Sequence, residues 1–267
     1  MCMTRNERLG HCLVCGAEVP AGCGYRRYVR GRGLRVFCDD HASDLECYHH
    51  SEAYRSDTIG TIKKTPLARQ LVGVEIEIDC NKNDAIYLRF RGTLERVGYC
   101  LESDCTVQGG EAPSPKMRGL AHISKVLQNN EDVFYAFTEN TGAHIHTQTS
   151  KIDTIRSYYH DLFLPLFHYI NGHSESWMID KFGSTWRHYA APIDEYSDPY
   201  EHENFVNCQH SYTIEFRLPR IRERHQFMNC IKFWREVGFY LENENISRDS
   251  IKVGKGIVRL AEKYFGD

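Results

Sequence analysis

Two histidines set two residues apart, His144 and His146 in the stretch TGAHIHTQ (141–148), have the type and spacing for chemistry. On a strand, alternate side chains share a face, so both imidazoles would project to one side. There they can ligate a metal, serve as acid or base, or remain polar surface. Two other stretches are built alike. In GVEIEID (73–79), Glu75 and Glu77 share a face with Gly73, and Val74, Ile76 and Ile78 form the other. In YTIEFRL (212–218), Glu215 and Arg217 lie with Thr213, opposite Ile214, Phe216 and Leu218. An antiparallel sheet commonly leaves one face wet, but such a face usually carries Thr, Ser, Lys and Gln with scattered charge. Here the three stretches would present Glu-Glu, His-His and Glu-Arg. If they are neighbours, their carboxylates repel unless cations sit among them. Carboxylate-rich donor sets suit the hard ions Mg²⁺ and Mn²⁺. Arg187, Arg217, Arg220, Arg222 and Arg224 add the positive charge that phosphate groups need beyond a metal. The sequence has no GxxxxGK[ST] and no GxGxxG after a strand, so a nucleotide would rest on metal and arginine.

A second constellation lies near the N-terminus. Cys12 and Cys15 form a CxxC pair, and Cys38 and His41 form a CxxH pair. Each spacing lets a tight turn aim two ligands at one ion, and together they complete a closed tetrahedral Zn²⁺ site. Gly16 follows the first pair where such a turn often needs a positive φ. A unit this small has little core, so the metal would supply much of its folding energy. Cys23, Cys47, His49 and His50 lie close enough in sequence to form a second site or to substitute. Between the pairs, YRRYVRGRGLR (25–35) carries five arginines among tyrosines. That suits either a solvated hairpin or a contact with nucleic acid or an acidic protein.

The 267 residues can bury a sizeable core, and 26% charged with 41% hydrophobic residues marks a globular chain. A net charge of −3 argues against wholesale electrostatic binding to nucleic acid. No apolar run reaches membrane-span length, and the first residues lack a signal-peptide core, so a cytoplasmic protein is expected. Six of the 11 cysteines precede residue 50, which favours metal binding over a secreted disulfide framework. The expected organisation is a zinc-binding module and linker over 1–60 and a larger domain over 61–267. Strands are expected at 71–78, 143–148 and 212–218. Helices are expected at 85–98, 117–130, 151–172 (with a kink at Pro165), 223–245 and 257–266. Strands and helices at irregular intervals indicate α+β with an antiparallel sheet. The stretch 189–210 exceeds a usual connection and has the length of a lid.

The order GVEIE, ESDCTVQGGEAPSP, TGAHIHT, WRHYA, YTIEFRL resembles the amidoligase family of carboxylate–amine ligases, related to glutamate–cysteine ligase and glutamine synthetase. The likeness runs from about residue 71 to 235 and leaves the cysteine unit outside. It implies a glutamine-synthetase-like fold, an antiparallel sheet curved into a partial barrel with helices packed on it. It also implies ATP and two or more Mg²⁺ ions, an acyl-phosphate intermediate, and amide or isopeptide formation between small-molecule or peptide carboxylate and amine substrates. Under it, Glu75, Glu77, Glu111 and Glu215 are metal ligands, and His144 and His146 touch metal or phosphate. Arg187, Arg217 and Arg220 contact ATP or the acyl phosphate, and Asp104 binds substrate or deprotonates the amine. The turn Asp104-Cys105-Thr106 lacks the family's usual glycine, and Thr147-Gln148 replaces its usual apolar residue and glycine. A degenerate, inactive ligase would show such departures. Two other classes stay open. A metal-dependent hydrolase could use His144, His146 and Glu75, and a non-catalytic scaffold could recruit partners through its zinc module.

Overall fold

A computed structural model describes residues 4–5, 9–12, 16–21, 25–29, 33–37, 67, 70–79, 85, 88, 110–114, 120–128, 141–187 and 190–266. Its centre is one open antiparallel sheet. Strands β6 (Val72–Ile78), β7 (Gly110–Pro113), β8 (Ala143–Gln148), β9 (Val206–Asn207) and β10 (Thr213–Phe216) run in the order β7-β6-β8-β10-β9. The sheet is not closed into a barrel, and β7 and β9 are its edges. The three strands expected from alternation are its three inner strands. Register sets Glu75 opposite His144, and His146 opposite both Gly73 and Glu215. All residues of β6, β8 and β10 are buried, so the polar face is not the wet surface that alternation suggests.

The apolar face carries Val74, Ile76, Ile145, Ile214 and Phe216, all fully buried. Helix α5 (Arg224–Asn243) lies against this face: the Trp234 ring stacks on Phe216 at 4.8 Å, and its Nε1–H donates to the Ile214 carbonyl. Gly238 of α5 meets Thr147 so closely that a Cβ there would overlap the Thr147 side chain. Thr147 therefore faces the helix, and its hydroxyl accepts from Gln70 Nε2 and donates to the Leu71 carbonyl. Gln148 points the other way. The Thr-Gln pair thus serves helix packing on one side and the polar face on the other.

Helix α1 (Ala121–Gln128) falls within the expected 117–130 segment. Of the expected 85–98 helix, Ala85 and Leu88 are helical and the rest lies outside the described residues. The expected single helix over 151–172 is two: α2 (Ile152–Ser157) and α3 (Tyr159–Asn171), which meet at Tyr158 (φ −120, ψ 25). Pro165 sits inside α3 and leaves the Asp161 carbonyl without its helical N–H partner. Helix α6 (Ser250–Phe265) comes up against that same carbonyl at Gly254, where a Cβ would overlap it. The α6 N-terminus is capped by Asp249, which accepts from Lys252 N–H at 3.0 Å. It begins before the expected 257 because Gly254 and Gly256, poor helix formers, are placed for contact. Helix α4 (Glu175–Phe182), not anticipated, begins at Ser174, which accepts from Trp177 N–H, and ends on Gly183 at φ 76.

The 189–210 stretch is not simply a lid. Phe205 through Cys208 are buried, and β9 within them pairs with β10.

Near the N-terminus, strands β1 (Thr4–Arg5), β4 (Tyr25–Val29) and β5 (Gly33–Phe37) form a three-stranded sheet, and β2 (Gly10–His11) pairs with β3 (Glu18–Val19). The arginine-rich stretch is a hairpin with Arg27 opposite Arg35. Among the described residues, no helix is long and apolar enough to cross a membrane.

Alanine in a helix interior gains about 1 kcal/mol over glycine from propensity. At position 254 the new methyl would meet backbone that cannot rotate aside, an overpacking cost of roughly 1–3 kcal/mol. Gly254→Ala is therefore expected to lower the urea unfolding free energy. A gain in stability would contradict the α3–α6 contact.

Candidate functional site

The inner strands bring five ionisable groups together on the buried polar face. His144, on β8 between β6 and β10, is the hub. Its Nδ1–H donates to Glu75 Oε2 at 2.9 Å and lies 3.2 Å from Glu215 Oε1. Its Nε2 lies 3.2 Å from Glu77 Oε1. His146 Nε2 is 3.2 Å from Glu75 Oε1 and 3.9 Å from Glu215 Oε1. Arg217 Nη1–H donates to the same Glu215 oxygen at 2.6 Å. The side chains of His146 and Glu215 are 0% and 2% exposed, so both groups have left water almost entirely. Such burial is tolerable only because opposite charges touch.

That compensation sets the ionisation of each group. Burial and the Arg217 charge both oppose protonation of His144, but Glu75, Glu77 and Glu215 outweigh them and raise its pKa to about 10. Burial would raise the Glu215 pKa, yet Arg217, His146 and His144 hold it down at about 2. Glu77 is likewise held low against its burial, chiefly by His144. The face therefore holds ionised carboxylates around an imidazolium and a guanidinium.

A second layer fixes the backbone under these groups. Glu77 accepts from Gly142 N–H. Arg187 lies over Gly142, whose missing side chain leaves room for it. Its Nη1 donates to the Thr141 carbonyl at 2.5 Å, and its Nη2 to the Arg217 and Pro219 carbonyls at 3.1 and 3.2 Å. Arg220 Nε–H donates to the same Thr141 carbonyl at 2.9 Å. Burial, then Arg220, lower the Arg187 pKa to about 10 against the pull of Glu77. Arg187 and Arg220 thereby tie the entry of β8 to the exit of β10. These bonds are backbone contacts, a different use from the phosphate contacts that the sequence suggests for them.

Of the other residues singled out in the sequence, Glu111 stands opposite Glu77 on β7, half-buried at the sheet edge. Asp104 lies outside the described residues, as do Cys15, Cys38 and His41. Cys12 is buried and bridges to Val36, two positions before Cys38. Gly16 N–H donates to the Cys12 carbonyl, with Gly16 at φ 73, the turn expected after a CxxC pair.

Two histidines escaped notice in the sequence. His202 Nε2 lies 3.5 Å from Arg217 Nη1. His210 Nε2 lies 3.9 Å from Glu215 Oε2, and its ring meets that of His146 edge-on at 5.4 Å. His210 is out of phase with Thr213 and Glu215 along the chain, so no alternation pattern links them. Ligand atoms of Glu75, His144 and Glu215 all lie within 4.8 Å of one another, as do those of His146, His210 and Glu215. Either set has the donors to hold a divalent ion.

Neither a protein-family model nor a curated protein sequence matches this chain.

The His144 charge makes a pH prediction. Its pKa is raised from 6.5 to about 10, so its stabilising contribution is complete below pH 6.5 and fades as pH climbs through about 10. Chelator-treated protein should lose urea stability over that interval more steeply than the His144→Gln variant. Parallel declines would mean that the ring is not charged in the folded state.

Proposed function

We propose that the chain is an ATP- and Mg²⁺-dependent carboxylate–amine ligase that forms an amide or isopeptide bond through an acyl phosphate. The observation that carries this reading is the convergence of Glu75, Glu77, Glu215, His144 and His146 on one buried sheet face, with Arg217 bonded into it. The order of those residues along the chain supports it, since it is the order in which the amidoligase pattern places metal and phosphate ligands. On this reading the open five-stranded sheet is the core of a glutamine-synthetase-like curved sheet.

The donor set fits a hard divalent ion. Glu75 and Glu215 supply carboxylate oxygens, and His144 a nitrogen once the ion displaces its proton, close enough together to share one ion. Glu111 adds a carboxylate at the edge, nearer to solvent. When bound, Mg²⁺ would draw together phosphate and carboxylate oxygens and neutralise their charge. The protein's own part is positioning. Arg217 holds Glu215 ionised and oriented. Glu77 anchors His144 and the Gly142 backbone, and Arg187 and Arg220 lock the strand ends beneath them. The reaction moves the ATP γ-phosphoryl group to a substrate carboxylate oxygen and releases ADP. The amine nitrogen then bonds to the acyl carbon, phosphate leaves, and the nitrogen loses one proton. Burial of the face excludes the water that would otherwise hydrolyse the acyl phosphate.

We also propose that the N-terminal module binds structural Zn²⁺ through Cys12, Cys15, Cys38 and His41. The Cys12–Gly16 turn and the approach of Cys12 to β5 support this reading. The module is proposed as a separate unit ending near residue 60, offering its arginine hairpin to a protein or nucleic-acid partner.

Two tests follow. With ATP, Mg²⁺, a panel of amino acids and peptides, and hydroxylamine as trap, the chain should release ADP and form hydroxamates. Glu215→Gln should cut the rate by about a hundred-fold or more while circular dichroism stays native. No turnover on any carboxylate, together with no Mg²⁺-dependent ATP binding by calorimetry, would sink the proposal. Separately, Cys12→Ser should release about one equivalent of zinc by mass spectrometry and leave the main unfolding transition in place. Retention of the metal would remove Cys12 from the site.

A further inference from the structure

We infer a second metal position on this face, formed by His146, His210 and Glu215, that takes a borderline first-row divalent ion such as Zn²⁺, Fe²⁺ or Co²⁺. It goes beyond the ligase reading and does not depend on it.

The geometry of Glu215 points to it. Its Oε1 turns toward His144 Nδ1 at 3.2 Å and Arg217 Nη1 at 2.6 Å, while its Oε2 turns toward His210 Nε2 at 3.9 Å. Glu215 thus belongs to both donor sets, and His210 approaches it on the oxygen opposite the one that Arg217 holds. His146 Nε2 lies 3.9 Å from Oε1, the oxygen that also faces His144. All three ligand atoms fall within 4.8 Å of one another. Ligand atoms around an ion with bonds of ~2.1 Å stand ~3–3.4 Å apart, so small side-chain rotations close the set.

The donors decide the ion. Glu75, His144 and Glu215 are two carboxylates and one imidazole. His146, His210 and Glu215 invert that ratio, and two imidazoles with one carboxylate favour borderline transition ions over Mg²⁺. His210 is also held in place by its own backbone. Arg156, on α2, donates from Nε to the Cys208 carbonyl at 2.9 Å, and from Nη2 to the Gln209 and His210 carbonyls at 2.9 and 3.2 Å. Three consecutive carbonyls on one guanidinium fix the turn that brings the His210 ring to the face. The His210 side chain is 24% exposed, so an ion can enter from solvent on this side. Three protein ligands leave coordination positions open, the arrangement of sites that act on a bound molecule.

The test uses the full chain stripped by chelator and titrated with Co²⁺ in a large excess of Mg²⁺, followed by visible absorption and calorimetry. Co²⁺ entering the cysteine module announces itself by thiolate charge transfer. A further equivalent without that band, not displaced by Mg²⁺, is expected. In His210→Gln its dissociation constant should rise about ten-fold or more. In His210→Cys the same equivalent should acquire a thiolate band absent from the parent, a change that a merely structural role for His210 would not produce. If His210→Gln proves unfolded, the His210→Cys spectrum decides. The inference is overturned if no such equivalent binds, if Mg²⁺ displaces it, or if His210→Cys leaves its spectrum unchanged. ATP binding with Mg²⁺, which tests the ligase reading, is a separate measurement and can fail or succeed independently.

Discussion

The constraint on which this molecule depends is the burial of charge on the inner face of its sheet. Glu75, Glu77 and Glu215 are almost fully withdrawn from water beside two imidazoles. A carboxylate so placed is destabilising by several kcal/mol unless opposite charge and hydrogen bonds meet it directly. His144 meets three carboxylates at once because it stands on the central strand, with β6 on one side and β10 on the other. Arg217 meets Glu215 from two residues away on the same face. Moving any one of these by a single register step would turn it to the apolar side and strand its partners.

This explains the heavy investment in fixing the strand ends. Arg187 and Arg220 converge on the Thr141 carbonyl, and Arg187 also takes two carbonyls near the exit of β10. Gly142 leaves the space that the Arg187 guanidinium fills. Two arginines that look like anion binders in the sequence thereby hold the register that keeps the carboxylates paired. The opposite face answers the same need with apolar packing. Trp234 stacks on Phe216, and Gly238 lets α5 settle onto Thr147, so the strands are gripped from both sides.

The same face offers two chemically different donor sets that share Glu215. One is rich in carboxylate, and the other in imidazole. Their adjacency follows from topology. The first set is built by the strands alone, and the second needs the turn between β9 and β10, which carries His210 under the hold of Arg156.

Much of this was legible in the sequence, because period-two alternation is a local property. It marked the three inner strands and sorted Glu75, Glu77, His144, His146, Glu215 and Arg217 to one face. The CxxC spacing with Gly16 likewise announced the turn that Gly16 adopts at φ 73. The tertiary structure decided what spacing cannot encode. It made the polar face dry, because alternation says which residues share a side and not whether that side meets water. It broke the 151–172 segment at Tyr158, and it began α6 before its glycines because the close contact of Gly254 with the Asp161 carbonyl outweighs propensity there. It turned Arg187 onto backbone carbonyls and brought His210, out of phase with its strand, up to Glu215. Those outcomes depend on contacts between residues distant along the chain, and only the packed fold sets them.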